Sequence, residues 1–180
     1  MAIFAHNLKN INTDFLTNSN SYNTKLKKIP IGKIPLISQM SLSSAYYDAA
    51  QALLDESIDS YNHYDIYATI HPIMYLYRHS VELAIKGLVP PKKCHDLLSL
   101  YEQIENHYDV TLSPDITQLI KFINDFDDRS TSFRYADEIR KLQNICIDLF
   151  ALKKTMRDLN IYFVLLKANI EAGSIIKKST

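Results

Sequence analysis

Three glycines in 180 residues are too few for the folds that depend on them. Parallel-sheet nucleotide folds and barrels turn tightly at many points, and those turns need backbone conformations that glycine adopts without cost. With only six prolines as well, the chain reads as a few long helices joined by short connections. Tryptophan is absent, and two cysteines, Cys94 and Cys146, do not make a disulfide framework. Charge of one sign is lacking too. The 20 basic and 20 acidic residues balance, which argues against a general polyanion binder but is compatible with a local basic site. The longest apolar run, "IYFVLL" at 161–166, is far too short to span a bilayer. "MAIFAHNLKNINTDF" has no continuous apolar stretch of signal-peptide length. A soluble cytoplasmic protein with reduced thiols and no membrane contact is the expectation.

What remains suffices for one real core. Hydrophobic residues make up 47% of the chain and charged residues 22%, the profile of a folded domain. Residues 1–40 read as an irregular arm, because "NSNSYNTKLKK" is polar and "IPIGKIP" carries two prolines and a glycine. Ile31, Ile34, Leu36 and Ile37 are the side chains by which that arm would pack. The helical domain is expected over 41–175.

Its first helix follows Ser41 and ends near Asp59, with Leu42, Ala45, Tyr46, Ala49, Leu53 and Ser57 on one face. The second covers roughly 64–89, and Pro72 either starts it or kinks it. The third runs from about His95 to His107, with Leu97, Leu98, Leu100, Tyr101 and Ile104 inward. "SPDI" opens the fourth: Ser113 caps, Pro114 takes the first helical position and Asp115 suits the positive dipole end. The last helix starts between Asp137 and Asp148. It carries a seam of Leu142, Ile145, Leu149, Leu152, Met156, Leu159, Phe163, Leu166 and Ile170 at alternating three- and four-residue steps. Such a seam packs an antiparallel bundle or forms a dimer interface. The expected fold is an all-α up-and-down bundle of four to five helices.

"YRHSVELAIK" (77–86) places Arg78, Glu82 and Lys86 at successive turns of the second helix. On a wheel at about 100° per residue, Arg78 lies about 60° from the centre of the apolar face, at its rim. Spacing alone implies a salt-bridge ladder on a half-exposed face. A second segment, "FINDFDDRSTSFRYADE", sets Asp125, Asp127 and Asp128 near a helix C-terminus, where acids oppose the dipole and need compensation. Arg129 and Arg134 are local candidates for that role, and Arg78 a distant one. "SFRY" then joins hydroxyl, aromatic, guanidinium and phenol in a loop that either plugs a polar cleft or binds a ligand.

In order and spacing, "YLYRHSVELAIKGLV", "KCHDLLSLYEQI" and "FINDFDDRSTSFRYADE" resemble the HEPN-like helical domains of prokaryotes, over about 70–170. The resemblance implies a helical bundle, often a homodimer. It also implies a place near RNA metabolism, toxin–antitoxin pairs or phage defence, with RNA, a nucleotide or a nucleotidyltransferase-type antitoxin as partner. Ribonuclease members of that superfamily carry an arginine followed, after four to six residues, by a histidine, and cleave RNA without metal. No arginine of this chain has a histidine at that spacing, and Arg78 and His79 are adjacent. The usual catalytic pair is missing.

Arg78, Glu82, Lys86, His95, Asp127, Arg134 and Tyr135 are the candidate polar cluster, for binding or for structure. Arg78, His79 and His95 are the catalytic candidates if the chain is a ribonuclease. His95 would be the general base, its pKa lowered by the dipole of the third helix; alternatively it bonds to Glu82 or to backbone. Tyr75, Tyr77, Tyr101 and Tyr135 either stack on bases or belong to the core. No metal site is expected: Cys94 and His95 are adjacent, Cys146 stands alone, and His71 and His79 lie about 12 Å apart along a helix. No cofactor motif occurs, neither a Gly-rich phosphate loop nor Gly-x-Ser-x-Gly nor His-Glu-x-x-His. Three functions stand open: a catalytically diverged binding protein, a ribonuclease with a rearranged site, and a scaffold whose cluster only locks helix packing.

Overall fold

In the computed structural model, residues 37–59, 63–90, 93–127 and 146–178 are described. They form five helices: α1 (Gln39–Asp59), α2 (His63–Lys86), α3 (Leu97–His107), α4 (Pro114–Phe126) and α5 (Leu149–Glu171). No strand occurs among the described residues; the nearest approach is one antiparallel bridge between Tyr108 and Lys177. The fold is an all-α bundle, as composition and periodicity require.

Helices α1 and α2 pair antiparallel along their lengths. Ser43 Oγ donates to the Ser80 carbonyl at 2.7 Å, and the Ser57 and Thr69 hydroxyls meet at 2.8 Å at the other end. These contacts explain why the expected face of α1 is rotated. Ala45 and Ala49 are exposed, whereas Ser43, Ala50, Leu54 and Ser57 are buried. Small serines with satisfied hydroxyls let the two backbones approach; Ser57 lies on the expected face, and Ser43 is the one that a wheel of apolar residues misses. Gly87 serves the same approach: a Cβ there would sit 3.3 Å from the Met40 backbone nitrogen.

The later part of α2 is the centre of the molecule. Every residue from Ser80 to Ile85 is buried, so this stretch has no solvent face. Pro72 neither starts the helix nor ends it; it lies inside α2 on an exposed position. Helix α3 begins at Leu97, because Asp96 is the N-cap and accepts from Ser99 N–H at 2.6 Å. His95 therefore precedes the cap and does not open the helix. Leu97, Leu100, Tyr101 and Ile104 point into the core, while Leu98 is half-buried. Pro114 starts α4 as expected, although the Ser113 side chain makes no capping bond.

Helix α5 starts at Leu149, capped by Asp148, and buries Met156, Leu159, Phe163 and Leu166. That stretch of the seam packs within the bundle. Leu142 and Ile145 lie outside the described residues. Tyr101 and Tyr162 share a 2.8 Å hydroxyl contact between α3 and α5. Gly173, at φ 73°, ends α5 in the left-handed conformation that favours glycine. The following chain returns to α3 through Asp109 N–H to the Ile176 carbonyl at 2.8 Å and Lys178 N–H to the His107 carbonyl at 2.8 Å.

The arm expected over 1–40 falls mostly outside the described residues, Ile31, Ile34 and Leu36 included. Ile37 is exposed, and α1 already begins at Gln39, within the expected arm. Substitution of the buried Leu100 by Ala is expected to cost about 2–5 kcal/mol. Leu98→Ala is expected to cost clearly less; urea unfolding followed by circular dichroism checks both.

Candidate functional site

Arg78 is the largest fully buried side chain among the described residues, at 1% exposure. The half-exposed ladder expected from spacing is thus corrected. The approach to α3 and the C-terminal end of α4 meet Arg78 on the side of α2 that the wheel left open to water. Each nitrogen of the guanidinium has its own acceptor. Nε donates to the Asp127 carbonyl at 2.8 Å, Nη1 to Glu82 Oε2 at 2.8 Å and Nη2 to the His95 carbonyl at 2.6 Å. Asp127 Oδ2 also lies 3.5 Å from Nε.

Glu82, at 2% exposure, uses its second oxygen for two more partners. Oε1 accepts from Lys86 Nζ at 2.6 Å and lies 2.9 Å from His95 Nδ1. Burial pushes the Glu82 carboxyl up, but hydrogen bonds from Lys86 and Arg78 and their charges outweigh it, so the group titrates below its ordinary value. Asp127 is fully buried at the C-cap of α4, whose backbone polarity is negative there. The positive guanidinium of Arg78 meets that end. The distant arginine thus supplies compensation to an acid at a helix C-terminus; the local candidates Arg129 and Arg134 lie outside the described residues. Among these side chains, two cations (Arg78, Lys86) face two carboxylates (Glu82, Asp127).

A second brace lies beside the first. Asn124 Oδ1 accepts from Leu97 N–H at 2.8 Å, and its Nδ2 donates to Asp96 Oδ2 at 2.9 Å. The Ser99 hydrogen bonds lead in holding the Asp96 carboxyl below its ordinary range, and Asn124 adds to them. Asp96 was not read as the cap, because the third helix was expected to open at His95. Asn124 was missed as well, because nothing in sequence marks which polar residue of α4 faces α3.

The structure therefore brings Arg78, Glu82, Lys86, His95 and Asp127 together. Arg134 and Tyr135 lie outside the described residues, as do Arg129 and Asp128. His79 does not join the cluster. Its ring stacks on Tyr75 at 5.8 Å and meets Tyr46 edge-on at 4.5 Å, on the side of α2 that faces α1. Burial lowers its pKa. Tyr77 and Tyr101 are core residues, not a stacking surface for bases. Among the described residues no group of three or more His, Cys, Asp or Glu side chains could hold a metal ion.

The chain matches no protein-family model, no curated protein and no solved structure.

What the arrangement can do must then be read from its exposure. Arg78 and Glu82 are sealed, Lys86 is mostly covered, and the His95 side chain is 65% exposed. A small cavity of about 10 Å³, the lower limit for one water, is lined by Ser43, Ser80, Met156, Asn160 and Phe163. It lies between α1, α2 and α5, away from the cluster. No helix among the described residues is long and apolar enough to cross a membrane.

Removing one partner of a buried ion pair leaves the other uncompensated. Arg78→Ala is expected to cost about 3–5 kcal/mol, and Arg78→Lys to recover little, because one ammonium cannot reach three separated acceptors. Chemical unfolding of both variants measures this. Glu82 and Asp96 have folded pKa values below their ordinary 4.5 and 3.8. Their contribution to stability is full above those values and is lost as pH falls through the lower folded ones. His79, lowered from 6.5, acts in the same direction. The melting temperature is therefore expected to fall with acidification below about pH 6.5 and more steeply below about pH 4.5, and Glu82→Gln to flatten the second limb.

Proposed function

We propose that this chain is a HEPN-like helical protein that acts by binding rather than by RNA cleavage, in a prokaryotic toxin–antitoxin or phage-defence setting. One observation carries the reading. Arg78, the arginine that a ribonuclease site would aim at a phosphate, is sealed from solvent, with all three nitrogens bonded to internal acceptors. An arginine so committed holds helix ends; it does not meet substrate. The absence of an arginine–histidine pair at ribonuclease spacing supports the same conclusion.

The partner class is a protein. Among the described residues the cluster has no surplus positive charge, and the chain as a whole is neutral, so neither supplies the electrostatic attraction that dominates RNA affinity. Large apolar side chains stand exposed instead, among them Phe122 on α4 and Phe150 on α5. In the proposed setting a nucleotidyltransferase-type antitoxin is the partner to test first, by co-expression and co-purification.

A second reading rests on its own observation. Glu82 Oε1 lies 2.9 Å from His95 Nδ1, while the imidazole is largely open to water. A carboxylate that orients a histidine in this way leaves Nε2 free as a general base, the role required in a metal-independent endoribonuclease with a rearranged site. Purified protein incubated with mixed RNA in chelator separates the two. Intact RNA at high protein concentration is the expected result. Cleavage abolished by His95→Ala but retained in His79→Ala would replace the binding reading with the second one.

A further inference from the structure

His95 is a surface histidine anchored by buried groups. Its backbone carbonyl accepts from Arg78 Nη2 at 2.6 Å, and its ring nitrogen Nδ1 lies 2.9 Å from Glu82 Oε1. Arg78 and Glu82 are sealed, yet the side chain that they hold is largely in solvent. The contact also fixes a proton. Glu82 stays ionised, because Lys86 Nζ donates to Oε1 at 2.6 Å and Arg78 Nη1 to Oε2 at 2.8 Å. An ionised carboxylate only accepts, so Nδ1 carries the hydrogen. The lone pair of the neutral ring is then on Nε2, which has no partner among the described residues.

A fixed lone pair in solvent, backed by a carboxylate, is the arrangement of a nucleophile. A metal ion would need further ligands, and among the described residues no cluster supplies them. Bond formation at Nε2 leaves Nδ1 protonated and the ring cationic. Glu82 then faces an imidazolium, and a hydrogen bond between ions is stronger than one from a neutral ring. The surroundings decide which electrophile suits the site. Asp96, the next residue, is the N-cap of α3, so His95 stands at the positive end of that helix. The Lys86 ammonium shares Glu82 Oε1 with the ring. The Asp96 carboxylate is taken up by Ser99 N–H and Asn124 Nδ2. An anionic group on the ring meets this helix end and this ammonium favourably; a neutral acyl group gains nothing from either.

We infer that His95 is a covalent phosphoryl-acceptor site, modified at Nε2 by a small donor that carries a labile phosphoryl group. With phosphoramidate as the donor the step balances. The Nε2 lone pair forms the new N–P bond, the P–N bond of the donor breaks, and its electron pair leaves on neutral ammonia. Nδ1 keeps its proton, hydrogen-bonded to Glu82. Neither the binding reading nor RNA cleavage is needed for this site: the RNA assay reads strand scission, and the experiment below reads a covalent adduct.

The full chain is incubated with phosphoramidate, the modified histidines are mapped by mass spectrometry, and the ring isomer is read by phosphorus nuclear magnetic resonance. His107 is the internal control, because its Nδ1 faces a neutral acceptor, the Gln103 carbonyl at 2.9 Å. His95 is expected to react at Nε2 about tenfold faster than His107, the margin of a charge-assisted hydrogen bond over a neutral one. Glu82→Gln keeps an acceptor oxygen without the charge and is expected to remove that lead while the His107 rate is unchanged. Equal rates at the two histidines of the unaltered chain, or phosphoryl on Nδ1 of His95, would overturn the inference, whether or not the Glu82 variant folds. So would a lead that persists in a Glu82→Gln protein of unchanged circular dichroism, since a ring that is merely more open keeps its advantage there.

Discussion

The described structure depends on one guanidinium. Arg78 joins three pieces of chain that share no periodic contact: its own helix through Glu82, the approach to α3 through the His95 carbonyl, and the end of α4 through Asp127. An apolar side chain at this position would pack but could not satisfy those two carbonyls, which turn inward where helices begin and end. Buried backbone acceptors without donors are costly, and a planar group with five N–H donors is well suited to several at once. A lysine offers one point charge and could not replace it.

That role sets the character of the site. A buried ion pair adds little net stability over a well-packed apolar alternative, but it is severe toward arrangements that break it. The cluster of Arg78, Glu82, Lys86 and Asp127 therefore selects one placement of α3 and α4 on α2. The Asn124 brace to Asp96 and Leu97 selects the same placement from the other side. Among the described residues, the groups left in solvent lie outside this lock: the imidazole of His95 at its margin, and exposed apolar residues of α4 and α5.

Much of the fold was legible because its causes are local. Proline at 114 starts α4, and the seam from Leu149 to Ile170 has the period of a bundle helix. Errors arose where a neighbour decided. On α1 the apolar residues favour one face, yet Ser43 turns inward because its hydroxyl finds an acceptor on α2 and its small size permits close packing. Arg78 was read as half-exposed because a wheel gives each helix one dry face, and the central stretch of α2 has no wet one.

The sequence by itself determined that this chain is helical, where most of its helices begin and end, and that opposite charges recur at one-turn intervals on α2. Those properties follow from backbone conformation and spacing, which neighbours along the chain control. Only the tertiary structure decided that Arg78 is sealed, that His95 stays open beside Glu82, that His79 turns away toward α1, and that one apolar stripe of α5 is left uncovered. Burial is a property of what lies across the gap, and residues that meet across a gap are far apart in sequence.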